Sequence, residues 1–337
     1  MASKYSVNLP AHFFIKNNEY FNPYTEGFTG IGVIAQPNVS YHFDEKSKFT
    51  VGAHFLKYSG LNSFSEIIPL IRFESQLLKC FKLIVGNIEG AGKHQLSEPL
   101  YRYDLDYQNR VEYGLQALIK SKRITSDTWL NWEQFVEKND PFPEMLFVGN
   151  VSTFDLIKKN AFRLDVNTEI LISHVGGQID QASNPDRTLL NYSISPSLGM
   201  ELNGFQLIFK PGFYRFNVVN GNLSNNGQLF LNEENGYGLW YQLMSNVNKL
   251  VVSIGYWNAT DFYAPIGESL FFSYNDETLE LISSNRSLLT SSLDFPWQPF
   301  DYLQLDAGYR GYYDTSSKQF DYTIYFNLIV TLNLLNI

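Results

Sequence analysis

From Phe320 to Leu334 every second residue is apolar: Phe320, Tyr322, Ile324, Phe326, Leu328, Val330, Leu332 and Leu334. The residues between them, Asp321, Thr323, Tyr325, Asn327, Ile329, Thr331 and Asn333, are mostly polar. A period of two describes an extended strand with one greasy and one wet face. The stretch 319–337 is also longer than the five or six residues usual for a strand of a soluble sheet. It suits the roughly 9–11 residues, plus turns, of a tilted strand crossing a bilayer.

The same pattern recurs along the chain. It predicts strands over 12–21, 29–43, 48–60, 66–74, 78–88, 110–121, 125–135, 144–155, 161–175, 189–201, 204–217, 237–245, 249–258, 287–295, 302–313 and 319–337. Pro37 falls inside the second of these and requires a missing ladder bond or a bulge there. The connections sort by length. Short turns at 44–47, 75–77, 122–124, 156–160, 202–203, 246–248 and 296–301 fall on one side, and the long segments 89–109, 176–188, 218–236 and 259–286 on the other. The parity requires the apolar piece 270–274 to lie in the last long segment rather than in a strand. Short periplasmic turns with long outer loops mark an outer-membrane barrel. The expected fold is therefore all-β: one transmembrane antiparallel β-barrel domain over 1–337, of about 16 strands, with 14 as the alternative.

The apolar series then faces lipid. Lys57 and Arg215 fall on it at the outer strand ends, where long cations can snorkel to headgroups. The five tryptophans, Trp129, Trp132, Trp240, Trp257 and Trp297, lie near strand ends or turns and are read as interfacial belts. The polar series is read as lumen-lining: Arg72, Glu74, Arg110, Glu112, Arg163, Asp165, Glu169, Lys210, Asp306, Arg310 and Asp321. Glu169, Lys210 and Asp306 fall near mid-strand. Buried charges persist only when paired or hydrated, so they line a watery channel or form a plugging network. A barrel of about 16 strands is wide enough for water, although an outer loop folded inward would narrow it.

Composition changes this picture little. The chain of 337 residues is 44% hydrophobic, as expected if only alternate strand residues face lipid, and its 16% aromatic content fits two interfacial girdles. A net charge of −9 argues against a nucleic-acid partner. The single Cys80 excludes a disulfide framework and a cysteine-rich metal site; it is read as a small packing residue of a strand. Met1-Ala2-Ser3 opens into a polar segment with no apolar signal core, which implies that a signal peptide has been removed.

Chemistry is hard to find in these residues. Of the histidines His12, His42, His54, His94 and His174, His42 and His54 lie on neighbouring strands facing inward but at different heights. Asp180, Asp186, Asp261 and Asp301 form no placeable carboxylate pair. Gly90-Ala91-Gly92-Lys93 lacks the spacing, the following Ser/Thr and the helix of a phosphate loop. No metal, cofactor or catalytic residue is expected.

Several segments resemble porin-like outer-membrane β-barrels of the Bacteroidota. They are Asn18-Glu19-Tyr20-Phe21, Gly32 to Tyr41 with Pro37, Trp132-Glu133 with Phe147-Val148-Gly149, Arg286-Ser287-Leu288-Leu289, and Tyr312-Tyr313-Asp314 with Asp321-Tyr322. The resemblance implies an outer-membrane location, no enzyme activity and no catalytic residues to carry over. It also implies that a role as accessory subunit of a larger outer-membrane complex competes with solute passage. The functional expectation is porin-like passage of small solutes through a mixed-charge lumen in the outer membrane. The alternative is a plugged structural barrel that docks a partner. The lipid bilayer is the expected contact in either case.

Overall fold

A strand with one apolar and one polar face needs two different surroundings, and a closed sheet supplies both. The computed structural model describes residues 4–108, 111–159, 161–177, 186–202, 204–221, 224–225, 228–229, 231 and 234–336. It is a closed antiparallel barrel of sixteen strands in sequential order. The first eight are β1 (Tyr5–Glu19), β2 (Thr29–Ala35 and Asn38–His42), β3 (Ser47–Tyr58), β4 (Glu66–Leu78), β5 (Phe81–Asn87), β6 (Tyr113–Lys120), β7 (Ile124–Gln134) and β8 (Met145–Lys159). The second eight are β9 (Phe162–Val175), β10 (Arg187–Leu202), β11 (Phe205–Gly221), β12 (Asn235–Val247), β13 (Leu250–Thr260), β14 (Asn285–Phe300), β15 (Leu303–Asp314) and β16 (Phe320–Asn336). β1 closes the ring against β16, with Phe13 opposite Leu328 and Ile15 opposite Phe326. Closure leaves no sheet edge, which is what a bilayer without hydrogen-bonding groups demands.

Pro37 interrupts β2 without shifting it. Ala35 pairs with Ala11 and Phe55, and Asn38 pairs with Asn8 and Gly52, so the register is the same on both sides of the gap. The Pro37 carbonyl still accepts the N–H of Ala53 at 3.1 Å. Gly52 makes this possible, since a Cβ there would stand 2.5 Å from the Pro37 oxygen.

The outward series, including Phe13, Ile15, Ile71, Ile254, Ile324 and Phe326, is exposed around the wall. The turns between β2 and β3, and at each second connection after it, are tight. In the first, the Asp44 carboxylate accepts the N–H groups of Lys46 and Ser47, both at 2.7 Å. β4 runs on to Leu78, so its turn is Lys79-Cys80. Cys80 is thus exposed in a turn, contrary to its reading as a small packing residue of a strand.

The larger departure lies inside. Two long outer segments, 88–112 and 261–284, turn back into the barrel. Leu96, Leu100 and Tyr101 of the first, and Phe262, Phe271, Phe272 and Tyr274 of the second, share one buried apolar cluster with inward wall residues such as Leu171, Tyr214, Phe216 and Leu288. The 270–274 piece does lie in the last outer segment, with a 3₁₀ turn at Ser269–Phe271. Trp129, Trp240 and Trp257 belong to this inner cluster, at 3%, 5% and 0% exposure, rather than to an interfacial belt. Trp132 and Trp297 are outside and exposed. Inward-folded aromatic loops offered these three indoles a dry partner that strand periodicity alone does not contain.

Candidate functional site: the lumen and its two inward loops

The first loop is held by charge. Ala91–His94 forms a 3₁₀ turn, and the ring of His94 lies flat on Trp129, with centroids 3.7 Å apart and planes 11° from parallel. His94 Nδ1 is 2.8 Å from Asp127 Oδ2 and Nε2 is 3.1 Å from Glu112 Oε2. Burial opposes charging this ring. The hydrogen bonds and charges of Asp127 and Glu112 outweigh it and bring its pKa up to about 9. His94 is therefore an imidazolium donating to two carboxylates at neutral pH. Gln116 braces the arrangement, donating to Asp127 Oδ1 at 2.9 Å and accepting the N–H of Glu89 at 2.8 Å.

Further along the same loop, the Ser97 N–H and hydroxyl donate to the buried Glu169 of β9, at 3.0 and 2.7 Å. Ser193 of β10 donates to the same carboxylate at 2.7 Å. Glu98 meets Arg310 Nε at 3.0 Å, and Arg310 also meets Asp294 at 3.2 Å. Asp104 pairs with Lys16 of β1 and accepts from Asn18 at 2.7 Å. Tyr101 donates to Asp106 at 2.8 Å.

The second loop enters from the opposite wall. Arg286, buried at the outer end of β14, pairs with Asp314, donates to the Leu270 carbonyl at 2.7 Å, and lies 3.7 Å over the Tyr24 ring. Glu268 reaches the charges of the first loop. Burial, followed by the charge of Asp104, pushes its carboxyl up to about 8, so it is protonated at neutral pH.

Two polar cavities remain between loops and wall. One, of about 230 Å³, is lined by Gln95, Ser97, Glu98, Lys210, Asp294 and Arg310 among others. The other, of about 220 Å³, is lined by Lys16, Asp106, Glu268, Asp306, Arg310 and Asn327 among others. Arg310 stands between the two.

The sequence-predicted lumen residues take these places. Arg72 donates to the carbonyls of Asn87 and Ile88 at 2.6 and 2.8 Å. Glu74 pairs with Lys48 at 2.7 Å. Glu112 lies in the first loop, on His94. Arg163 joins Asp155 and Asp165 at 2.9 and 2.8 Å. Asp321 accepts the N–H of Phe21 at 2.6 Å. Glu169, Lys210, Asp306 and Arg310 border the cavities. Arg110, like Asp180, lies outside the described residues. Lys16, His94, Glu98, Asp104, Glu268 and Asp294 escaped sequence reasoning. Four of the six sit on the loops, where no period signals direction; Asp294, between Leu293 and Phe295, was legible from alternation, whereas Lys16 stands between Ile15 and the polar Asn17.

Two other histidines among the described residues stand beside hydroxyls. Ser6 Oγ is 3.2 Å from His42 Nε2 near the periplasmic end of the lumen. His174 Nδ1 is 2.8 Å from Thr188 Oγ1 at the outer ends of β9 and β10. Leu171 and Leu189 of these strands are buried in the inner cluster. His174 and Thr188, at odd spacing from them, face outward, toward the membrane and its rim.

Residues 1–336 match the family described as Lipid A 3'-O-deacylase-type. The chain belongs to this family. Membership overturns the sequence-based expectation of no enzymatic activity, since the family is described by an ester-cleaving activity and points to an enzymatic function. No curated protein matches the chain. Among solved structures the fold is similar to OprD of Pseudomonas aeruginosa, with a TM-score of 0.58 and 9% identity over 98% of this chain and 96% of that one. It is also similar to a loop-deletion mutant of OmpT, an outer-membrane protein of Vibrio cholerae, with a TM-score of 0.56 and 9% identity over 98% and 100%. A BenF-like porin from Pseudomonas fluorescens Pf-5 gives 0.54 and 12% over 98% and 99%. At these identities the likeness is one of fold: the chain is a sixteen-strand barrel of the outer membrane.

Proposed function

We propose that the barrel passes small polar solutes along the space between its wall and its inward loops. The supporting observation is the pair of polar cavities on either side of Arg310, about 230 and 220 Å³, in a lumen otherwise packed with aromatic rings. In this reading Glu169, Lys210, Asp306 and Arg310 border the path at mid-height. Arg72, Glu74, Arg163, Asp165 and Asp321 set the charge of its walls. The two loops make the path narrow and selective rather than freely open.

Family membership favours a second reading, ester cleavage on lipid A, and one arrangement on the membrane face suits it. His174 can take the Thr188 hydroxyl proton as that oxygen attacks an acyl ester at the level of the outer leaflet, pass it to the sugar oxygen as the acyl C–O bond breaks, and then activate a water that hydrolyses the acyl-threonine to the free fatty acid. The folded protein in planar bilayers tests the first reading: stable single-channel steps are expected, and silence at high protein concentration refutes it. Incubation with lipid A vesicles and mass spectrometry tests the second. Loss of an acyl group, abolished in His174→Ala and Thr188→Val, is expected; unchanged lipid A, or cleavage indifferent to both substitutions, refutes it.

A further inference from the structure

Among the described residues lining the cavity of about 230 Å³, the carboxylates are engaged and one cation is not. Lys210 projects from β11 beside Gln242 of β12, directly opposite it in the ladder. Among the described residues, no carboxylate stands within 4.0 Å of its ammonium and no hydrogen bond reaches it. The carboxylates nearby are committed elsewhere. Glu98 and Asp294 share Arg310, and Asp294 also receives the Tyr325 hydroxyl. Glu169 is held by three donors from Ser97 and Ser193. Turning any of them toward Lys210 would break charge-assisted hydrogen bonds already made. The side-chain amides of Gln242 and Gln95, which line the same cavity, also have no partner among the described residues.

Lys210 and Gln242 are half-buried and Gln95 is exposed to the lumen, so water serves them until an anion with several acceptor oxygens bridges the ammonium and the two amides. Size restricts that anion. A cavity of about 230 Å³ falls below the range of drug-sized ligands, which favours a compact one. Lys210 lies on the periplasmic side of the first loop, five positions beyond Phe205, where β11 begins.

We propose that Lys210, Gln242 and Gln95 bind the oxyanion group, carboxylate or phosphate, of a compact solute. This deepens the solute-passage reading by naming the solute's charged group, and as a statement about transport it rests on that reading. The test is calorimetric titration of the full folded chain in detergent with succinate, inorganic phosphate and, as neutral control, erythritol. Binding of at least one anion is expected, and the tighter of the two tells carboxylate from phosphate. Lys210→Gln should weaken it tenfold or more, Lys210→Arg should stay within a few-fold, and Gln242→Ala should fall between. Circular dichroism and heat-modifiable gel mobility establish that each variant is folded. The site is overturned if neither anion binds, if erythritol binds as tightly, or if Lys210→Gln matches the parent. Lys210-dependent binding in a protein that is silent in bilayers would leave the site standing and end the passage reading. Channel steps with flat titrations would do the reverse.

Discussion

Substituting His94 by Gln removes a charge held between two carboxylates while keeping a planar amide over Trp129. The imidazole pKa lies at about 9 in the folded protein against 6.5 for the free group. At 1.36 kcal/mol per pKa unit, that difference stabilises the docked loop by about 3 kcal/mol. Because the folded pKa is raised, the contribution is complete below pH 6.5 and disappears as the pH climbs to about 9. Above that range Asp127 and Glu112 face each other with no cation between them. Glu268 acts in the same direction: its ionisation above about pH 8 sets a second negative charge beside Asp104. The assay is amide hydrogen exchange of the 88–108 segment from pH 6 to 10, corrected for base-catalysed intrinsic exchange. At pH 6, His94→Gln should open the loop about a hundredfold more often than the parent, by the tenfold-per-1.4 kcal/mol rule. The two proteins should converge at pH 10. Equal protection at pH 6, or parental protection that persists to pH 10, would refute the latch.

Two other outcomes follow from the wall and the plug. Cys80 is exposed in the Lys79-Cys80 turn, so a membrane-impermeant maleimide should label it in the folded protein and in outer-membrane vesicles turned inside out, but not in intact cells; labelling of intact cells would invert the topology. Trp257→Ala removes a fully buried indole from the inner cluster, which should cost about 3–5 kcal/mol in denaturant unfolding and raise single-channel conductance. A stability close to that of the parent would place Trp257 at the lipid interface instead.

Alternation by itself specifies the wall. A run such as Phe320 to Leu334 has one arrangement in which its apolar series avoids water and every backbone group is bonded, and that arrangement is a strand of a closed barrel. Connection length, short below and long above, then set the direction of each strand. Neither signal reaches the interior of the upper barrel. Phe262, Phe271 and Tyr274 carry no period, and Trp240 and Trp257 stand near strand ends in sequence, where a belt explains them as well as a core does. What decided their place was a fact about three dimensions: sixteen strands enclose a space that two long loops can enter, and those loops bring apolar rings to meet the indoles. His94, Asp104 and Glu268 found their partners for the same reason. Polar contacts between a loop and a wall 33 to 86 residues away in sequence, as in His94 with Asp127 and Asp104 with Asn18, depend on how the chain closes, and no local pattern of residues encodes that distance.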